Sequence, residues 1–152
     1  MLNSTENRQI PQDLIDKDII LFDGDCVLCH NMMRLILEVD EDKHFLLCSQ
    51  QSEIGHLILE RHQINVDDLS TVYVVTNCGT DSEHVLDRSS AAVYVMTHTK
   101  KYRFLGNVLS MIPRTLRDLG YKFIANIRYR VFGKTNAACN VPNPEDRSRI
   151  IG

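Results

Sequence analysis

No apolar run in this 152-residue chain approaches the ~20 residues that a membrane-spanning helix needs. The first 18 residues are polar and acidic, where a secretory leader would be basic and then apolar. No transmembrane segment or export is expected, and a cytoplasmic location is. Basic residues are scarce over most of the length: residues 1–99 carry six Lys/Arg against 17 Asp/Glu. There is no internal repeat, low-complexity tract or nucleic-acid-binding motif, so no nucleic-acid partner is expected. The five cysteines are an odd number in a chain without a leader, which argues against a disulfide framework and for reduced thiols. What is present, 43% hydrophobic and 24% charged residues, is ordinary globular material long enough to bury one real core.

The most informative stretch is residues 19–30. Ile19, Ile20, Leu21 and Phe22 read as a short buried strand, and Asp23-Gly24-Asp25 supplies turn chemistry, with Gly24 available for a positive φ. Cys26-x-x-Cys29 then opens a helix expected to run to about residue 39, because Val27, Leu28, Met32, Leu35, Ile36 and Val39 recur at helical spacing. Residues three apart on a first helical turn share a face, so Cys26 and Cys29 can approach disulfide distance. The free N–H groups and positive dipole end favour a thiolate at Cys26. Cys26 therefore reads as the attacking thiol and Cys29 as the resolving one. Asp25 disfavours a second negative charge beside it. Asp23 is placed to take a proton from Cys29. The simpler alternative is that both aspartates only make the turn and cap the helix.

Residues 1–18 hold no periodic pattern and are expected to form a flexible lead-in. His44–Cys48 reads as a second strand, and Ser49 or Ser52 caps a helix to about Arg61. Thr71–Thr76 is β-branched and the strongest strand. It turns through Asn77–Asp81 into a shorter strand near Glu83–Leu86, a hairpin. A helix opened by Asp87 or Ser89 follows, to about Thr99. This order predicts an α/β thioredoxin/glutaredoxin-like core over residues 19–100, a mixed four-stranded sheet with flanking helices. Residues 101–152 read as a C-terminal helical extension packed on that core within one domain. Two helices within it are broken at Pro113 and stopped by Gly133. Leu116, Leu119, Phe123, Ile127 and Val131 mark one side of the second; Arg114, Arg117, Tyr121 and Arg128 share another. Residues 100–134 carry nine Lys/Arg against one Asp/Glu. They either finish the core as a basic subregion or form a docking surface for an acidic partner, an anionic membrane or nucleic acid, and charge reversal at Arg117 and Arg128 would test docking of a partner.

Asp23-x-x-Cys26-x-x-Cys29 resembles the signature of the DCC-type thiol-disulfide oxidoreductases, small thioredoxin-like proteins. Ser49-Gln50-Gln51-Ser52-Glu53, Ser90-Ala91, Arg128-Tyr129-Arg130-Val131-Phe132-Gly133-Lys134, and Cys139 followed by Pro142 are similar to further segments of that family. The resemblance spans about residues 19–142. It implies a thioredoxin-like fold and a disulfide- or thiol-containing substrate. No cofactor and no metal is expected. Cys139 is either an additional redox thiol or an incidental loop thiol. One feature departs from the pattern: thioredoxin-like oxidoreductases carry a cis-proline before the third strand, facing the cysteines. Here that place is Leu69-Ser70-Thr71, and no proline lies between Pro11 and Pro113. The way a substrate is held therefore stays open.

Four other readings compete. The chain can be a non-catalytic thioredoxin-fold interaction module. Cys48, Cys78, Cys139, His44 and His84 offer donors for a metal, though no second paired motif exists. Cys26-Val27-Leu28-Cys29-His30 matches a c-type haem attachment pattern, which needs an exported chain. Asp23-x-Asp25 after an apolar strand resembles the first motif of haloacid-dehalogenase-type phosphatases, with Ser49 as a phosphate binder. The helical stretch that follows residue 87 lacks the acidic pair such an enzyme needs for Mg²⁺, and the chain is short for that fold.

Overall fold

The computed structural model describes residues 10–69, 71–133 and 147–151. After a 3-10 turn at Gln12–Leu14, the elements are β1 (Asp18–Phe22), α1 (Val27–Val39), β2 (Phe45–Ser49), α2 (Glu53–Arg61), β3 (Tyr73–Thr76), β4 (His84–Asp87), α3 (Arg88–Thr97), α4 (Arg103–Ser110) and α5 (Arg114–Phe132). The sheet order is β2-β1-β3-β4. β1 runs parallel to β2 and antiparallel to β3, which pairs antiparallel with β4. This is the expected thioredoxin-like α/β architecture, a mixed four-stranded sheet with five helices.

Every residue of β1 is buried, because the strand lies inside the sheet with helices on both faces. Its alternating side chains divide the core. Ile20 and Phe22 join α1 and α3 through Met33, Ile36, Leu37 and Val95. Ile19 and Leu21 join α2 through Ile58 and Leu59. The helix boundaries follow local chemistry. Ser52 caps α2 by accepting the Gly55 N–H at 3.0 Å. Pro113 separates α4 from α5, and Gly133 ends α5 at φ +81°, a left-handed stop.

Three local features differ from the sequence expectation. Residues 10–17, within the stretch expected to be a structureless lead-in, are packed: Ile10 and Leu14 are buried against Cys48 and Cys78, and Cys78 exchanges backbone hydrogen bonds with Asp16 and Lys17. After Arg147, whose backbone is still helical, the C-terminal segment adds to the sheet. Leu47 N–H donates to Arg149 O, and Leu47 O accepts from Ile151 N–H, so this segment runs beside the free edge of β2, where Arg149 pairs with Asp40. Gly24 does not take a positive φ. A Cβ there would lie 2.6 Å from Ser49 Oγ, so the turn needs glycine for close approach, not for handedness.

Gly55 is tighter still: a Cβ would sit 2.2 Å from Ser49 O, a backbone atom that cannot yield. Gly55→Ala is expected to destabilise the fold by about 1–3 kcal/mol. Urea unfolding checks this, and an unchanged midpoint would contradict the packing of α2 on the end of β2.

Candidate active site

β1 ends at Phe22 and delivers Asp23, Gly24 and Asp25 into the turn before α1. Cys26 is the N-cap of α1, fully buried, and its Sγ accepts the Cys29 N–H at 3.3 Å. A sulfur that accepts a helix-terminal N–H is placed where negative charge is stabilised. Burial pushes the Cys29 thiol up to about 12, and the hydrogen bond and charge of Cys26 add to it. Arg128 pulls in the opposite direction and Asp23 adds a smaller upward push. Cys29 therefore holds its proton more tightly than an ordinary thiol.

Asp23 is fully buried and anchors the turn. Its Oδ1 accepts the Asp25 N–H at 2.9 Å and the Gln51 Nε2–H at 2.7 Å, and its Oδ2 faces Arg128 Nη2 at 3.3 Å. Gln51 Oε1 in turn accepts from Gly24 N–H and Ser49 Oγ–H. Asp25 is half-buried and enters this network through its backbone. His30 does not reach outward as a ligand: its Nε2 lies 2.5 Å from Gly24 O, closing the same turn.

The backbone leading into β3, where the proline is missing, is held from α5. Arg128 donates to Leu69 O, and Tyr121 Oη accepts the Val72 N–H at 2.8 Å. From the β2 side, Gln50 Nε2 donates to Thr71 O at 2.6 Å and to Leu21 O. An apolar cavity of about 500 Å³ lies between α1, α3, α4 and α5, with Cys29, Arg128 and Tyr121 in its wall. Cys26 is not part of that wall, and the next residue's N–H, that of Val27, meets Gly133 O at 3.4 Å.

The structure thus brings Cys26, Cys29, Asp23 and Asp25 together, while Cys139 lies outside the described residues. The other metal-donor candidates are dispersed. Cys48 and Cys78 are core residues beside α2, and His44 pairs with Asp18 at 2.6 Å. Among the described residues, no group of three or more His, Cys, Asp or Glu is arranged to hold a metal. Asp23 is enclosed by Arg128 and Gln51, which leaves no open carboxylate face for phosphoryl transfer.

Arg128 is the main correction. It is 5% exposed and turned into the site, so it is not a docking residue, and reversing its charge would test the turn and not a partner. Gln51 and Tyr121 were not recognised as site residues from sequence. The signal existed: Gln51 and Arg128 fall in the family-like segments, and Tyr121 shares the Arg117–Arg128 side of α5.

The family model for DCC1-like thiol-disulfide oxidoreductases matches residues 20–134. The chain belongs to this family. The matched region holds the turn, both cysteines, Gln51 and Arg128, so the DCC1-like segment and the site coincide. The uncharacterized protein YuxK of Bacillus subtilis is 31% identical over 137 residues, covering 90% of this chain and 96% of YuxK. A chloroplastic DCC family protein of Arabidopsis thaliana is 30% identical over 122 residues, 80% of this chain and 68% of its own length. No solved structure matches the DCC1-like chain.

Among the described residues, no helix is long and apolar enough to cross a membrane.

Proposed function

We propose that this protein is a thiol-disulfide oxidoreductase in which Cys26 attacks and Cys29 resolves. The observation that carries the reading is the asymmetry of the pair: Cys26 Sγ accepts a helix-terminal N–H, while burial and Cys26 itself keep the proton on Cys29. The Cys26 thiolate attacks one sulfur of a substrate disulfide. That S–S bond breaks, a Cys26 mixed disulfide forms, and the first substrate sulfur leaves as a thiolate. Cys29 then loses its proton to solvent or to the departing thiolate and attacks Cys26 Sγ. The second substrate thiol is released, leaving an intramolecular disulfide. Two electrons have moved from the protein pair to the substrate, and an external dithiol or monothiol reductant restores them. Asp23 orients the turn through Gln51 and Arg128, and the nearby Arg128 charge eases ionisation of Cys29 when resolution is due.

The test is turnover of a model disulfide with dithiothreitol as reductant. Acceleration over buffer supports the reading; a rate equal to buffer across substrates would contradict it. Complete burial of Cys26 favours one other reading, an interaction module whose cysteines do not turn over. In that case alkylation of Cys26 stays slow in the native state and no disulfide is reduced.

The raised Cys29 also predicts a pH effect. A thiol whose folded pKa lies above its ordinary 9.0 contributes stability that is fully present below that pH and lost as pH rises toward about 12. Unfolding free energy is expected to fall above pH ~9 and to fall less steeply in Cys29→Ala. Denaturant titrations at neutral and alkaline pH check it; identical alkaline slopes in the two proteins would contradict the assignment.

A further inference from the structure

We propose that the outward face of α4 and α5 seats on an anionic lipid bilayer, so that this protein works at a membrane surface. α5 is inverted. Its polar stripe, Arg117, Tyr121 and Arg128, faces the protein, with Tyr121 on Val72 and Arg128 on Asp23. Its apolar stripe, Leu116, Leu119, Phe123 and Val131, faces out and is 59–65% exposed. A helix at an ordinary aqueous surface has the opposite arrangement. α4 also carries exposed apolar side chains: Phe104 is 81% and Met111, just past its end, 85% exposed. Apolar faces of this extent mark an interaction site.

Charge selects the occupant. Lys101, in the turn before α4, and Arg103, Lys122 and Arg130 on the two helices are exposed. A second copy docked through this face would set like charges against each other. A protein partner needs pockets shaped to receive Phe104, Met111 and Phe123. A bilayer accepts such protruding side chains without shape complementarity, while the basic residues meet lipid phosphates. The acidic remainder of the chain, 17 Asp/Glu against six Lys/Arg over residues 1–99, is repelled by the same surface and turns the helical face toward it. Met32, Leu105 and Ile124 are exposed and also line the apolar cavity, so its mouth lies on this side.

The experiment is flotation of the full chain with vesicles of phosphatidylcholine alone or mixed with phosphatidylglycerol. The protein is expected to float with the mixed vesicles only, and less so in high salt. Binding should weaken about tenfold or more in Phe104→Ser/Met111→Ser/Phe123→Ser and in Lys101→Glu/Arg103→Glu/Lys122→Glu. Circular dichroism identical to wild type shows that both variants fold. Absence of flotation with the mixed vesicles would overturn the proposal, as would flotation unaffected by the apolar substitutions. A lipid-free dimer dispersed by those substitutions would assign the face to a second copy instead. None of these readouts depends on disulfide turnover, so they stand or fall separately from the redox reading.

Discussion

Cys26→Ser is expected to lose disulfide exchange by several orders of magnitude, to the rate of buffer alone, because no other described thiol occupies a helix N-cap. Cys48 and Cys78 are enclosed in the opposite half of the core, and Cys78 is itself pushed up to about 11, mainly by burial. Neither can replace the attacking sulfur. Cys29→Ser is expected to behave differently. Its Cys26 still attacks, but the mixed disulfide persists, so a covalent adduct accumulates and turnover stops after one event. Mass spectrometry of the adduct under non-reducing conditions separates the two roles. Retained turnover in Cys26→Ser, or an adduct on Cys29 in the wild type, would reverse the assignment.

Removing one partner of the Asp23–Arg128 pair is expected to cost about 3–5 kcal/mol of stability, since an uncompensated charge is left buried. Both residues qualify: Asp23 is 0% and Arg128 5% exposed. Arg128→Met falls toward the lower end, because Asp23 keeps its hydrogen bonds from Gln51 and the Asp25 N–H. Asp23→Ala falls toward the upper end, because it also unties the turn that presents Cys26. The double substitution Asp23→Ala/Arg128→Met should lose less than the sum of the single ones, the mark of direct coupling. Arg128→Met has a kinetic consequence as well. The guanidinium is the group that lowers the Cys29 proton affinity, so its loss slows resolution and lengthens the life of the mixed disulfide. Denaturant midpoints and the decay of the mixed disulfide read the two effects separately. Additive losses with unchanged decay would contradict the coupling.

The strands and the first helix were legible in sequence because each carries one dominant pattern. β1 is an unbroken apolar run, β3 is β-branched, and α1 repeats apolar residues at helical spacing behind a Cys-x-x-Cys opening. The grouping of Asp23, Cys26 and Cys29 in one candidate site was legible for the same reason: the stretch is contiguous, and the N-cap position of Cys26 follows from where α1 starts. Arg128 was not, since it comes from 105 residues away and only the fold places it on Asp23. A buried arginine reads as a surface cation until its partner is known. The α5 stripe was recognised but not its direction, because periodicity identifies two sides of a helix without saying which faces the protein. Ile10 and Leu14 were hidden by isolation: two apolar residues in a polar lead-in make no period, yet both pack on the Cys48 side of the sheet.

The most direct test of the account is a redox titration of the purified protein in glutathione buffers, with thiol trapping and peptide mapping at each potential. One reversible two-electron transition is expected, a Cys26–Cys29 disulfide with a potential in the range of roughly −120 to −270 mV spanned by redox-active dithiols. Peptide mapping will also show whether Cys139 pairs with either of them. Two cysteines that stay reduced across the whole range would contradict the central claim.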